Sequence, residues 1–218
     1  NDLQAAGATQ AGTNFRDRDR ITADIKALRD QVDWVVVNFH WGEEISKYPA
    51  EWQIELAHYT IDQGADLIVG HHSSVLQGAE IYKGRPIVYS LGNFVFGGAT
   101  ESDYDTAMLK VALKDQQMKV ELLPVEVKGF QPRVVSGDRG KEILQQIEGV
   151  SDGFQQPLKS PVVLDARSNT TIPQPEITPP ASETTAPSLE SPSTEDLAEP
   201  SSLDSPSEEA QPAEPSLE

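Results

Sequence analysis

The sequence predicts an α/β fold, and two observations carry that expectation. Apolar strand-like runs alternate with amphipathic helical segments over residues 21–69, and a series of short strands separated by turn residues follows over 79–127. The first stretch reads as strand–helix–strand, a parallel crossover by default. The second adds an antiparallel β region.

The elements are justified in order. Thr22 is placed as the N-cap of a short helix, Ala23 to Gln31, with Ile25 and Leu28 on one face. Asp33 leads into Trp34-Val35-Val36-Val37-Asn38-Phe39, a near-continuous apolar run expected of a strand buried on both faces of a parallel sheet. His40-Trp41-Gly42-Glu43-Glu44 follows at its C-terminal end. Pro49 suits the first turn of a second helix reaching about Gln63, with Ala50, Ile54, Ala57 and Ile61 on one stripe and Gly64 as its stop. Asp66 to Val69 is a second short strand, ending in Gly70-His71-His72-Ser73-Ser74. Ala79 to Tyr82, Pro86 to Leu91, Ala107 to Leu113 and Met118 to Val127 read as strands, the last two an antiparallel pair. Their turns fall at Lys83-Gly84, Gly97-Gly98 and Asp115-Gln116-Gln117. Ser136 caps a last helix, about Arg139 to Glu148.

Composition divides the chain. From Ser168 onward there are ten prolines, sixteen Ser or Thr residues and eleven acidic residues, with no Lys, Arg or aromatic residue. Such a segment buries too little apolar surface to offset an ordering entropy of roughly 1–2 kcal/mol per residue, so 166–218 is expected to be a disordered acidic tail acting as an extended spacer. Residues 1–165 carry 24 acidic and 16 basic residues, a net of −8 over one core-forming unit. That balance, without clustered Lys and Arg, argues against nucleic acid as a partner. The absence of cysteine excludes disulfides and thiolate ligands, so any metal must be held by His, Asp, Glu or Asn. No apolar run approaches 18 residues. The small, polar opening from Asn1 to Thr13 reads as a loop, so 1–20 is expected to enter from an N-terminal half outside the chain, together with any targeting segment.

Histidine placement is the informative chemical feature. His40 and the pair His71-His72 each stand just past the C-terminal end of an expected parallel strand, the edge where open α/β sheets gather ligands. Two such loops on neighbouring strands would bring His40 and His72 within a few ångströms, and imidazole with nearby oxygen donors suits Mn, Fe or Zn. The residues alone leave the bland reading open, with His40 a strand-end hydrogen-bonding residue and the His pair a polar turn. His58, beside the apolar stripe of its helix, is assigned to packing and surface hydrogen bonding; Trp34 and Trp52 are assigned to the core. Trp41 is weighed between lining a pocket and packing, and Asn93 is read as a turn former.

At these residues the chain resembles a known family. His40-Trp41-Gly42 with Glu44, Ile61-Asp62 with Gly64-Ala65-Asp66, and Gly70-His71-His72 are three of the motifs. Val75-Leu76-Gln77-Gly78, Ile81-Tyr82-Lys83-Gly84 with Pro86-Ile87, and Tyr89-Ser90-Leu91-Gly92-Asn93-Phe94 complete a set that resembles the C-terminal half of the CapA family over about 21–130. CapA proteins are associated with poly-γ-glutamate capsule synthesis and belong to the calcineurin-like metallophosphoesterase superfamily. The resemblance implies a metallophosphoesterase-like β-sandwich flanked by helices, in part, with a metal pair at strand ends. It makes His40, His71 and His72 the metal candidates and His40, Glu44 and His72 the catalytic ones, Glu44 standing near substrate or behind the ligands. Two departures weaken the implied centre. Where the family has Pro-His after His72 this chain has Ser73-Ser74, a hydroxyl in place of an imidazole, and the family's N-terminal Gly-Asp and Asn-His motifs are absent.

The expectations for function are therefore two. One is a metal-dependent, phosphoesterase-like hydrolase or transferase acting on a phosphoester or a capsule polymer, with a divalent Mn, Fe or Zn ion. The other is a non-catalytic module or scaffold that binds a polyanionic or glycan polymer through a degenerate site. Either reading implies a place in the bacterial cell envelope or outside the cytoplasm, with capsule-assembly proteins as partners.

Overall fold

A computed structural model describes residues 6, 9, 11–14, 17–96, 102–165 and 170–172, all within the unit Asn1–Ile177. The Gly97-Gly98 turn, half of 1–20 and all of 166–218 except 170–172 lie outside the described residues. Helix α1 (Arg18–Arg29) is followed by β1 (Val36–His40), α2 (Glu51–Asp62) and β2 (Leu67–His71). Then come β3 (Ala79–Tyr82), β4 (Arg85–Val88), β5 (Tyr104–Lys114), β6 (Gln117–Lys128) and β7 (Gln131–Val134). Helix α3 (Gly137–Ser151), β8 (Val162–Asp165) and β9 (Thr170–Ile172) complete the order.

The strands form two sheets. The first has the order β1-β2-β4-β3, with β1, β2 and β4 parallel and β3 antiparallel to β4. The second is antiparallel, in the order β5-β6-β8-β9 with β7 also paired to β6. Leu67, Val69, Ala79, Ile81 and Val88 of the first sheet share one core with Met118, Val120 and Leu122 of the second and with Ile143 and Ile147 of α3. On the other face of the first sheet, Val35, Ile68, Ile87 and Tyr89 pack against Ile21 and Ile25 of α1 and Leu56, Ala57 and Ile61 of α2. The result is a sandwich of two sheets flanked by helices, as the sequence predicted, and the β1–α2–β2 crossover is parallel.

Several expectations are corrected. α1 begins at Arg18 because Asp17, not Thr22, is the N-cap and accepts from the Arg20 N–H at 3.0 Å. Thr22 instead hydrogen-bonds the Tyr59 hydroxyl at 2.6 Å, and Leu28 is exposed, so the buried stripe is Ile21–Ile25. β1 is not buried on both faces. Among the described residues it is an edge strand, whose Val37 and Phe39 pack under the helices while Val36, 45% exposed, and Asn38 face outward. Trp52, 37% exposed, stands edge-on to Trp41 instead of in the core. β7, β8 and β9 were not anticipated, and β9 lies inside the segment read as tail.

Candidate functional site

β1 and β2 pair in register to their last residues, so His40 stands opposite His71. Residues two apart on a strand share a face, which puts Asn38 and His40 on the same side of β1, beside Val69 and His71 of β2. Deeper along that face, Leu67 and Val69 belong to the core between the sheets. At the strand ends the face emerges, with His71 half-buried and His40 exposed. Regular alternation would send His72 to the opposite side. At φ 101 the chain turns instead, and the His72 ring lies 4.7 Å from that of His40, inclined at 47°. His71 Nε2 is 3.4 Å from Asn38 Oδ1. Burial, and secondly the positive charge that His40 can carry, hold His71 below its ordinary pKa of 6.5. His71 is therefore neutral near pH 7 and keeps a ring lone pair.

The turn after His40 is stitched to the loop after His71. The Trp41 N–H donates to the His71 carbonyl at 3.1 Å and the Ile45 N–H to the Ser73 carbonyl at 2.7 Å. The buried Gln77 side chain donates from Nε2 to the Ser46 carbonyl at 2.8 Å. Trp41 is core and not a pocket wall: it stacks on Phe39 at 4.5 Å and its indole N–H donates to the Tyr89 carbonyl at 3.1 Å. That contact explains Gly70, where a Cβ would collide with the Tyr89 carbonyl and the Trp41 indole nitrogen. Gly42, at φ 89, leaves room for buried Gln53, whose Oε1 accepts from the Ala50 N–H at 2.9 Å. Three non-glycine residues of these loops have left-handed backbone, Ile45 (φ 63), His72 (φ 101) and Ser74 (φ 64). Such conformations cost of order 1–3 kcal/mol each and persist only where surrounding bonds enforce them.

His40, His71 and His72 are thus gathered at one corner of the sheet. Glu44 is exposed on the stitched turn, one residue before the Ile45–Ser73 bond. The Ser74 hydroxyl donates to the carbonyl of His72 at 3.3 Å, so it is engaged with its own loop. His58 is elsewhere: it bonds Glu80 of β3, the strand at the far edge of the sheet from β1, at 2.8 Å, and stacks on Tyr82 at 3.7 Å. Asn38 was not singled out from the sequence, although its spacing of two from His40 on an expected strand placed it on the same face. Among the described residues, no group of three or more His, Asp or Glu side chains is arranged to hold a metal ion. The imidazoles fit as part of a donor set for Mn, Fe or Zn, not as a complete one.

A family model described as "Bacterial capsule synthesis protein PGA_cap" matches residues 1–98. The capsule biosynthesis protein CapA of Bacillus anthracis is 35% identical over 151 residues, covering 66% of this chain and 37% of that protein. Over these residues the chain is similar to part of the CapA proteins. The PGA biosynthesis protein CapA of Bacillus subtilis is 39% identical over 119 residues, 54% of this chain and 31% of that protein. A probable polyglutamine synthesis accessory protein of Mycobacterium tuberculosis is 27% identical over 145 residues, 62% of this chain and 38% of that protein. The chain spans about a third of the length of the curated relatives it matches. The residues matched by the family model, 1–98, include the whole His40–His72 corner. No helix among the described residues is long and apolar enough to cross a membrane.

Proposed function

We propose that this CapA-family chain takes part in making or exporting an extracellular polymer of the poly-γ-glutamate type at the bacterial cell envelope. Within that role, His40, His71 and His72 form the imidazole side of a metallophosphoesterase-like metal site. The observation that carries the reading is the 4.7 Å approach of the His40 and His72 rings at adjacent parallel strand ends. The names of the Bacillus relatives support the polymer, and the chemistry of the corner supports the metal. A divalent Mn, Fe or Zn ion held there would supply Lewis acidity toward a phosphoester or polymer oxygen and an activated water. His40 and His72 would offer ring lone pairs, with His71 beside them and further ligands from outside the described residues. Glu44, on the stitched turn, is the acid available to take up a proton or contact substrate. The folded unit's charge of −8 gives a polyanion no general attraction, so recognition would rest on the site itself or on capsule-assembly partners.

A second reading, a polymer-binding module with a degenerate site, is favoured by one observation. The Ser74 hydroxyl, which by the family resemblance stands where CapA proteins carry an imidazole, is turned onto the His72 carbonyl. Titrating Mn²⁺ and Zn²⁺ at fixed pH into the full-length protein and into His40→Ala and His72→Ala separates the two. Loss of a first ligand should weaken binding at least ~10-fold, since changes behind the ligands alone cost 10–100-fold. Unchanged affinity in both variants would end the metal reading and leave the binding module in its place.

A further inference from the structure

His71 is the least explained member of the corner. It is the register partner of His40, yet its side chain reaches backward along the sheet, to Asn38 on the neighbouring strand. Asn38 interrupts an otherwise apolar run, Trp34-Val35-Val36-Val37-Asn38-Phe39, at a position that faces outward on the same side as His40. A polar amide there is not needed to build the strand, whose apolar members already pack under the helices. Its carbonyl oxygen, not its amide nitrogen, is the atom set 3.4 Å from His71 Nε2. An amide oxygen only accepts, so the imidazole nitrogen facing it must carry the proton.

We infer that Asn38 is a positioning residue that fixes His71 as the Nε2–H tautomer and leaves Nδ1 as the ring atom with a free lone pair, the one able to take a metal ion. Histidine ligands are commonly held this way, with one ring N–H donating to a carbonyl or carboxylate while the other nitrogen coordinates. The assignment rests on the metal reading above for its purpose, but its geometry stands on the Asn38–His71 pair alone. It also gives the two strands separate tasks. β1 supplies His40 and the orienting amide, and β2 supplies the imidazole that is oriented.

Long-range proton–nitrogen NMR of the chain at pH 8 reads the tautomer directly. Wild type should show His71 with Nδ1 unprotonated and Nε2 protonated. Asn38→Ala should shift it toward a mixture, while Asn38→Asp, which keeps an acceptor oxygen, should retain it. Asn38 is exposed on an edge strand, so both variants should fold, and unchanged far-UV circular dichroism checks this. An Nδ1–H tautomer in wild type, or the same tautomer in Asn38→Ala as in wild type, overturns the assignment. Zn²⁺ titration of the full-length protein with Asn38→Ala keeps the two ideas apart. A 10–100-fold weaker affinity is the expected result. A tautomer change with unaltered affinity would leave Asn38 in its role and remove His71 from the metal site.

Discussion

At the scale of single residues, the corner depends on backbone that the chain would not choose. His72 at φ 101 has no glycine-like freedom, and the loop is held by the Trp41, Ile45 and Gln77 bonds instead. The turn brings its ring to His40, which an extended strand would keep on opposite faces. If strain is the dominant cost, His72→Gly should make the protein more stable by about 1 kcal/mol, the relief exceeding the extra chain entropy of glycine. Urea unfolding of the two proteins is the measurement. A loss of stability larger than the glycine entropy would mean that the ring contact outweighs the strain. Asn38 belongs at this scale too: an amide carries no signal of metal chemistry by itself, and only its spacing of two from His40 places it on the same face.

At the scale of elements, the first sheet is held together by a polar link as well as by its core. His58 of α2 reaches across to Glu80 of β3, a buried carboxylate that also accepts from the Tyr89 hydroxyl at 2.6 Å. That environment raises the Tyr89 phenol well above its ordinary pKa, through burial first and the Glu80 carboxylate second. His58→Ala would leave Glu80 with one donor fewer and strip the stacking partner from Tyr82, a loss of about 2 kcal/mol. Chemical denaturation should register it, whereas a change under 0.5 kcal/mol would mean that water replaces the imidazole without cost. The same comparison of elements shows what a sequence can disclose. The crossover and the β3–β4 and β5–β6 hairpins were legible, because local periodicity and turn residues specify them. The nearness of the His40 and His71-His72 strand ends was legible too, because it needs only two parallel strands side by side, whereas the turn at His72 that brings its ring to His40 was not. The exposure of β1 was not legible: its composition suits a strand covered on both faces, and edge position is a property of strand order. β7, with Gln131-Pro132-Arg133-Val134, and the short β8 and β9 lack an alternating pattern of their own and are strands only through pairing with β6 and with each other. The α1 start was misplaced at Thr22 because Thr22 is itself a cap-type residue, and only the fold gives it another partner in Tyr59 and puts the cap at Asp17.

At the scale of the whole molecule, charge and apolar surface are unevenly shared. Residues 1–165 hold the two cores and a net charge of −8, while 173–218 carry eleven acidic residues, ten prolines and no basic or aromatic residue. The five Ile or Leu residues of 173–218 are too widely spaced for an apolar stripe. The boundary that matters is set by β9, which pairs Thr170–Ile172 with β8 and covers an edge that would otherwise be open. A chain ending at Ile172 should therefore melt at the same temperature as the whole. A chain ending at Asp165 loses the β9 ladder and should melt several degrees lower, since about 1 kcal/mol moves a midpoint by ~2–4 °C at this size. Calorimetry of the three lengths at one salt concentration tests both statements. Equal midpoints for all three would show that β9 adds nothing to the sheet. A fall on cutting at Ile172 would mean that part of 173–218 packs on the folded unit, in spite of a composition that offers no face to pack.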